Sequence, residues 1–487
     1  MSEQKRRLET SPGNAVPRSR LTRRAFLTAT AGGLALPGAA LRGFGRIRPR
    51  RDGAVAHPQE RPTPSPSQLA WQRDELALFL HFGVNTFTDR EWGDGTEDPA
   101  IFDPSRLDAR QWARVARESG FRAMILTAKH HDGFCLWPTE TTRHSVASSP
   151  WRDGEGDLVR EFVDACRAED LKPGLYCSPW DRNAPSYGDS PRYNHMFVAQ
   201  LTELLTGYGP IHEVWFDGAN GEGPNGRRQE YDWPRFWGLV RELQPEAVIF
   251  SDAGPDVRWI GNEVGSAGAT NWSAVDPEVV PYPGATGDDV MDMLQQGDPE
   301  GTVWRPGETD VSIRPGWFYH AGEDDEVRTV ENLVELYFTS VGRNSKLLLN
   351  VPPTPEGLLH ETDVARLLGM HEALTRRFET DLAAGLAPRR QRVDERLAVE
   401  ELDLGRVVEA GTVELREPIE RGQTIRRYTV DATESADGDG WRAIVAGTTV
   451  GYKRLDRFEP VPVRRLRVHL EDLHGEPPPI GVCLYAG

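Results

Sequence analysis

From Leu69 onward the chain alternates two kinds of text. Six short runs are apolar at nearly every position: Leu76–Phe82, Arg122–Thr127, Pro173–Cys177, Glu213–Phe216, Ala247–Phe250 and Lys346–Val351. Between and after them, apolar residues recur every three to four positions over Ala109–Ser119, Asp157–Glu169, His195–Leu205, Trp233–Leu243, Val327–Val341 and Ala365–Arg377. The first pattern predicts strands covered on both faces, and the second predicts amphipathic helices. Strand and helix in alternation predict parallel β/α units. The span 69–380 has the size of a (β/α) TIM-like barrel, an α/β fold. A doubly wound open sheet is the alternative, but no G-x-G-x-x-G opens a helix after the first strand. From 381 to 487 the helical spacing stops. Arg406–Leu415, Gln423–Val430, Trp441–Gly447 and Arg465–Leu470 are short alternating runs, with turn text such as Asp437-Gly438-Asp439-Gly440 between them. That predicts a C-terminal antiparallel β-sandwich.

The first 68 residues belong to neither pattern. A polar, basic start leads to Thr22-Arg23-Arg24-Ala25-Phe26-Leu27, then a mildly apolar stretch that ends in Gly38-Ala39-Ala40. This is the layout of a signal peptide, and the paired arginines resemble the twin-arginine export signal. Residues 1–45 are therefore expected to be a targeting segment, with the rest of the chain exported to the periplasm or beyond. A cleaved signal of the general secretory type and a retained anchor are the alternatives. The apolar stretch is shorter than the roughly 20 residues a membrane span needs, and Gly32, Gly33 and Pro37 weaken it further. No stable membrane insertion is expected after cleavage. Residues 46–68, with Pro58, Pro62, Pro64 and Pro66, read as a linker.

Charge narrows the class of partner. A formal net charge of −18 argues against a nucleic acid, because binding a phosphate backbone draws on surplus Lys and Arg. A neutral sugar fits better. The 14 tryptophans agree with that, since indole faces pack on the C–H faces of sugars, although core packing accounts for most Trp in any protein. Cys135, Cys166, Cys177 and Cys483 form no C-x-x-C pair and read as reduced thiols.

In a barrel, functional residues follow the C-terminal ends of the strands. Polar residues fall there: His81 after the first run; Lys129, His130, His131 and Asp132 after the second; Tyr176, Trp180 and Asp181 at and after the third; Asp217 after the fourth; Asp252 after the fifth. Cleaving a glycosidic bond takes two carboxyl groups flanking the anomeric carbon. Asp217, in Val214-Trp215-Phe216-Asp217-Gly218, is one candidate, although Asp-Gly after a strand reads equally as a turn. Glu263 is the other. Its neighbours Trp259 and Ile260 would favour the protonated form that a general acid needs, and an ordinary loop glutamate is the plainer reading. No metal is expected at His130-His131, because adjacent residues on a strand end point to opposite faces and no third ligand has suitable spacing. Hydrogen bonding to sugar hydroxyls suits the pair better, and buried structural histidine is the alternative. No cofactor motif is present.

Taken together, several segments resemble glycoside hydrolase family 29, the α-L-fucosidases. They are His81-Phe82-Gly83, Glu91-Trp92, Lys129 to Phe134, Trp215-Phe216-Asp217-Gly218, Arg258 to Glu263 and Pro306 to Tyr319. The last two, with Gly447 to Arg454, resemble the branch specific for α-1,3/1,4 linkages. The resemblance implies a retaining exo-α-L-fucosidase acting on a fucosylated oligosaccharide or glycoconjugate. Asp217 matches the nucleophile and Glu263 the acid/base. His81, Glu91, Trp92, His130, His131, Tyr176 and Trp317 match or adjoin fucose-binding positions, with Trp180 an alternative to Tyr176. Trp317 would suit the apolar C6 methyl of fucose. Glu308 is the candidate for holding a neighbouring galactose, a surface glutamate being the other reading. A broad-specificity fucosidase and a non-catalytic carbohydrate-binding protein are the competing functions.

Overall fold

The computed structural model describes residues 61–475 and 479–487; the expected signal peptide and most of the expected linker lie outside the described residues. The first helix, Pro66–Asp74, begins inside the stretch read as linker. Ser65 starts it through a capping box with Gln68, and Pro66 stands in the first turn, where its missing N–H costs nothing.

Eight strands then close into a parallel barrel in chain order. They are β1 (Leu76–Leu80), β2 (Ala123–Lys129), β3 (Lys172–Cys177), β4 (Glu213–Trp215), β5 (Val248–Ser251), β6 (Val257–Trp259), β7 (Gly307–Ser312) and β8 (Ser345–Asn350). β8 pairs back onto β1, with Leu349 opposite Leu78. Helices Ala109–Glu118, Leu158–Ala168, Ser190–Gly207, Trp233–Leu243, Asp288–Gln296 and Val330–Thr339 fill the crossovers, and Glu361–Phe378 follows β8. Asp108 and Asp157 cap two of these helices by accepting from Arg110 N and Arg160 N. The expected barrel is therefore present, and two of its strands, β6 and β7, lie outside the six apolar runs. β5 and β6 are joined by residues 252–256 alone, with no helix between them.

The inside of the barrel is apolar at its walls and polar at chosen points. Trp215 lies flat on Phe250, with ring centroids 4.0 Å apart. The indole N–H groups of Trp71, Trp215 and Trp259 donate to Glu213 Oε2 (2.8 Å), Glu308 Oε1 (3.0 Å) and Asp310 Oδ1 (2.7 Å). Lys346 Nζ, 3.2 Å from Glu213 Oε2, supplies the compensating charge that a buried carboxylate requires. Trp71 is fully buried, so the first helix is packed onto the end of the barrel where the strands begin.

The C-terminal part is antiparallel, as expected, and its ladders join into one sheet of six strands: Arg389–Arg392, Leu397–Arg416, Arg427–Thr433, Arg442–Gly447, Arg454–Glu471 and Gly481–Tyr485. Leu397–Arg416 and Arg454–Glu471 are far longer than the runs read from the sequence. Register shifts between Asp403 and Val408 and between Ala410 and Thr412 let them continue through irregular stretches. Leu402, Val413, Tyr428, Leu466 and Leu484 meet in one buried core. A polar seam ties this sheet to the barrel. Glu75, immediately before β1, receives Lys453 Nζ (2.5 Å) and Tyr452 OH (3.2 Å) on Oε1 and Tyr337 OH (2.7 Å) on Oε2. Asn344 Oδ1 accepts from Tyr452 N at 2.8 Å.

Candidate active site

The C-terminal ends of the strands gather the residues picked out by position. Asp217 follows β4 and is 5% exposed. Its Oδ1 accepts from Ala219 N at 2.8 Å, and its Oδ2 accepts from Tyr176 OH at 3.1 Å. Tyr176 belongs to β3, so two adjacent strands aim a donor and a carboxylate at each other. The chain can turn closely after Asp217 because position 218 is glycine: a Cβ there would overlap Asp252 Oδ2, which also accepts from Gly284 N at 3.0 Å. The Asp217-Gly218 pair is thus a fixed strand end carrying a hydrogen-bonded carboxylate.

Three histidines surround it. His131 Nε2 lies 3.9 Å from Asp217 Oδ2, and its Nδ1 lies 2.7 Å from Ser178 Oγ. Ser178 donates its single hydroxyl proton to Trp180 O at 2.7 Å, so it accepts from His131, and Nδ1 is the protonated nitrogen. His81 Nδ1 is likewise a donor, to Asn350 Oδ1 at 2.8 Å. The Asn350 amide is oriented by its other atom, since Nδ2 donates to Trp317 O at 2.8 Å and to Ser312 Oγ at 2.9 Å. His130 stacks on Tyr176 with centroids 5.9 Å apart and lies 5.5 Å from the His81 ring. Behind it, Asp132 Oδ2 is 3.8 Å from His130 Nδ1. Burial, reinforced by the nearby charge of Glu97, pushes the Asp132 carboxyl up to about 7, against the opposing pull of the Phe134 N–H.

Aromatic rings form the rest of the wall. Trp180 lies 4.8 Å from the His131 ring and 6.1 Å from Trp92. Trp317 lies 5.1 Å from the His81 ring. Glu91 accepts from Trp317 N and, at 3.3 Å, from Phe318 N, which fixes the loop after β7 against the loop after β1. Trp92, Trp317 and Glu91 are only partly buried.

Glu263 stands on the loop after β6, on the same rim, and is half-buried. Asn262 pins that loop on both sides of it, donating from Nδ2 to Ser266 O at 2.9 Å and accepting on Oδ1 from Val264 N at 3.1 Å. One expected site residue is elsewhere. Glu308 lies within β7, is fully buried and is occupied by the Trp215 indole. With no face open to solvent, it does not accept hydroxyls from a substrate galactose, contrary to the expectation for this residue. The local text, Gly307-Glu308-Thr309-Asp310, lacks the apolar pattern of a strand, because its inward carboxylates are satisfied by tryptophans from distant parts of the chain. Tyr176 and Trp180, read as alternatives, are both present. Two residues escaped the sequence reading, Asn350 and His320. Asn350 could have been found by the strand-end rule, as the last residue of a strand already recognised. His320 lies beyond a strand that was not.

Comparison with known proteins places relatives over most of this chain. The family model described as Alpha-L-fucosidase matches residues 81–377. Alpha-L-fucosidase 1 of Arabidopsis thaliana is 44% identical over 443 residues, covering 85% of this chain and 86% of that protein. The crystal structure of SpGH29 superposes with a TM-score of 0.81 at 41% identity, covering 88% of this chain and 98% of the other. The Ruminococcus gnavus GH29 fucosidase E1_10125, solved in complex with fucose, gives 0.80 at 30% identity, covering 90% and 97%.

Proposed function

Because this chain belongs to the α-L-fucosidase family of glycoside hydrolases, we propose that it releases terminal α-1,3/1,4-linked fucose with retention of configuration, by double displacement. The observation that carries the reading is the buried Asp217 carboxylate, held by Tyr176 OH and Ala219 N at the centre of the histidine and tryptophan cluster. In the first step Asp217 attacks the anomeric carbon while Glu263 protonates the departing glycosidic oxygen. In the second, Glu263 takes a proton from water, which displaces Asp217 from the sugar. His81, His130, His131, Glu91 and Trp92 take the sugar hydroxyls, and Trp317 faces the C6 methyl.

The linkage preference is supported by the text of Arg258 to Glu263 and of Pro306 to Tyr319. With Glu308 inside the barrel, recognition of a second sugar falls to other residues of the rim. Physically, such a preference uses contacts remote from the reacting centre to align Glu263 with the glycosidic oxygen. Proton NMR during hydrolysis should show α-fucose first, and initial β-fucose would mean inversion. Lewis-type trisaccharides should be cleaved far faster than 2′-fucosyllactose. Comparable rates would place the enzyme in the broad-specificity class, and no turnover of any fucoside would leave a carbohydrate-binding protein. We also propose export by the twin-arginine route, from Arg23-Arg24 and the segment after them. Replacing both arginines by lysine should keep the chain in the cytoplasm, and unchanged export would refute that route.

A further inference from the structure

His320 lies between two carboxylates. Its Nδ1 is 2.6 Å from Asp89 Oδ1, and its Nε2 is 3.1 Å from Glu91 Oε2. An ionised carboxylate only accepts, and a neutral imidazole has one N–H, so both contacts are hydrogen bonds only when the ring carries two protons. The Glu91 carboxylate held in this way also receives Trp317 N and Phe318 N. The carbonyl of Trp317 is held by Asn350, which orients His81 in turn. Gly316 leaves room for the crossing: a Cβ there would come within 2.8 Å of Glu91 Oε2 and 3.0 Å of the His320 ring. A continuous path of hydrogen bonds therefore runs from Asp89 through His320, Glu91, the Trp317 peptide and Asn350 to His81.

We propose that His320 is a positioning residue whose doubly protonated ring locks Glu91 onto the Trp317–Phe318 backbone, so that sugar binding weakens when the ring loses a proton. The proposal rests on the reading of this rim as the fucose site. The charged groups facing the ring are Asp89 and Glu91 from the loop after β1 and Glu323 from its own loop, all carboxylates. The hydrogen bond to Glu91 in the first place, with that to Asp89 and against burial, pushes the imidazole up to about 9. The lock is therefore closed at neutral pH and opens as pH rises through about 9.

The test is kcat and KM for an activated aryl α-L-fucoside from pH 6 to pH 10, with calorimetric binding of free fucose beside it. The protein is compared with His320→Gln and with Asp89→Asn. The wild type should lose about tenfold in affinity between about pH 8.5 and pH 10, the range expected of a charge-assisted hydrogen bond. His320→Gln should show the weaker affinity already at pH 7, without the alkaline rise, and with kcat within about threefold of the wild type. Asp89→Asn keeps the ring and removes one facing charge, so its rise in KM should begin at lower pH. A His320→Gln profile that coincides with the wild type, or a loss confined to kcat, overturns the lock while leaving the fucosidase reading intact. A wild type that neither binds fucose nor cleaves a fucoside removes both.

Discussion

Replacing Tyr176 by Phe removes one hydrogen-bond donor from Asp217, the proposed nucleophile, and leaves the packing in place. The ring keeps its contacts with Trp215, 5.2 Å away, and with His130. Asp217 keeps Ala219 N at 2.8 Å, so the carboxylate is not stripped of partners and the full cost of an unsatisfied buried charge does not apply. What is lost is one hydrogen bond to a charged group, of about 1.5–3 kcal/mol. At 3.1 Å it is longer than the roughly 2.5–2.7 Å of a strong O–H···O⁻ contact, which places it in the lower part of that range. About 1.5–2 kcal/mol corresponds to about 10- to 30-fold in rate. In the proposed double displacement, the loss should fall on the second chemical step. There Asp217 leaves the sugar and regains its negative charge, and Tyr176 OH stabilises the charge as it forms. Attack in the first step consumes that charge and should be affected less. Tyr176→Phe should therefore accumulate the covalent intermediate: a burst of aryl alcohol equal to the enzyme concentration, then a steady rate about 10- to 30-fold below the wild type. Stopped-flow absorbance with an activated aryl α-L-fucoside reads both quantities. A steady rate within twofold of the wild type, with no burst, would refute this role for the hydrogen bond.

Other expectations follow from the same geometry. Asp217→Ala should lower kcat by several orders of magnitude, roughly 5 kcal/mol or more of barrier, and a 2-fluoro-fucosyl inactivator should label Asp217; labelling of another carboxylate would reassign the nucleophile. Glu263→Ala should impair natural linkages far more than activated aryl fucosides, and azide should restore turnover on the latter; equal losses on both substrates would make Glu263 structural. Glu308, in the barrel, is held well above its ordinary 4.5 by burial and by the charge of Glu213. The folded state then binds more protons than the unfolded one above about pH 4.5, so this group's contribution is present below that pH and is lost as pH rises, at about 1.4 kcal/mol per unit until the folded group ionises. Glu308→Gln keeps an acceptor for Trp215 Nε1, so its stability relative to the wild type, from denaturant unfolding at pH 5 to 8, should grow with pH; a constant difference would show Glu308 ionised throughout.

Most of the barrel was legible because six of its strands are apolar on both faces, and a short apolar run bounded by turn residues fits a buried strand. β6 and β7 escaped for separate reasons. β6 is three residues long, follows β5 without a helix, and carries Arg258, whose guanidinium is satisfied by Leu294 O, Asn271 Oδ1 and Trp272 O. β7 carries Glu308 and Asp310, whose partners Trp215 and Trp259 lie 93 and 51 residues away in the sequence. A buried polar residue with a remote partner has no local signature, and for that reason Glu308 read as a loop residue open to a sugar. The candidate site was clearest where chemistry and strand ends coincide, at His81, His130, His131, Tyr176 and Asp217, which the structure brings together. His320 was invisible because its meaning depends on Asp89 and Glu91, on a loop brought beside it only by closure of the barrel.

The seam at Glu75 bears on which pieces of this protein can exist alone. A chain ending near 380 would leave the Glu75 carboxylate with Tyr337 but without Lys453 and Tyr452, and would take Tyr452 N away from Asn344. Glu75 adjoins β1, the strand that ends at His81, so the damage would enter the ladder that carries the site. The boundary visible in the amino-acid pattern near residue 380 is thus a change of grammar and not a place to cut. A protease that nicked the link between 379 and 388 would leave two fragments that remain associated and active, whereas a gene truncated at the same point would yield a barrel that must find a substitute for the missing sheet.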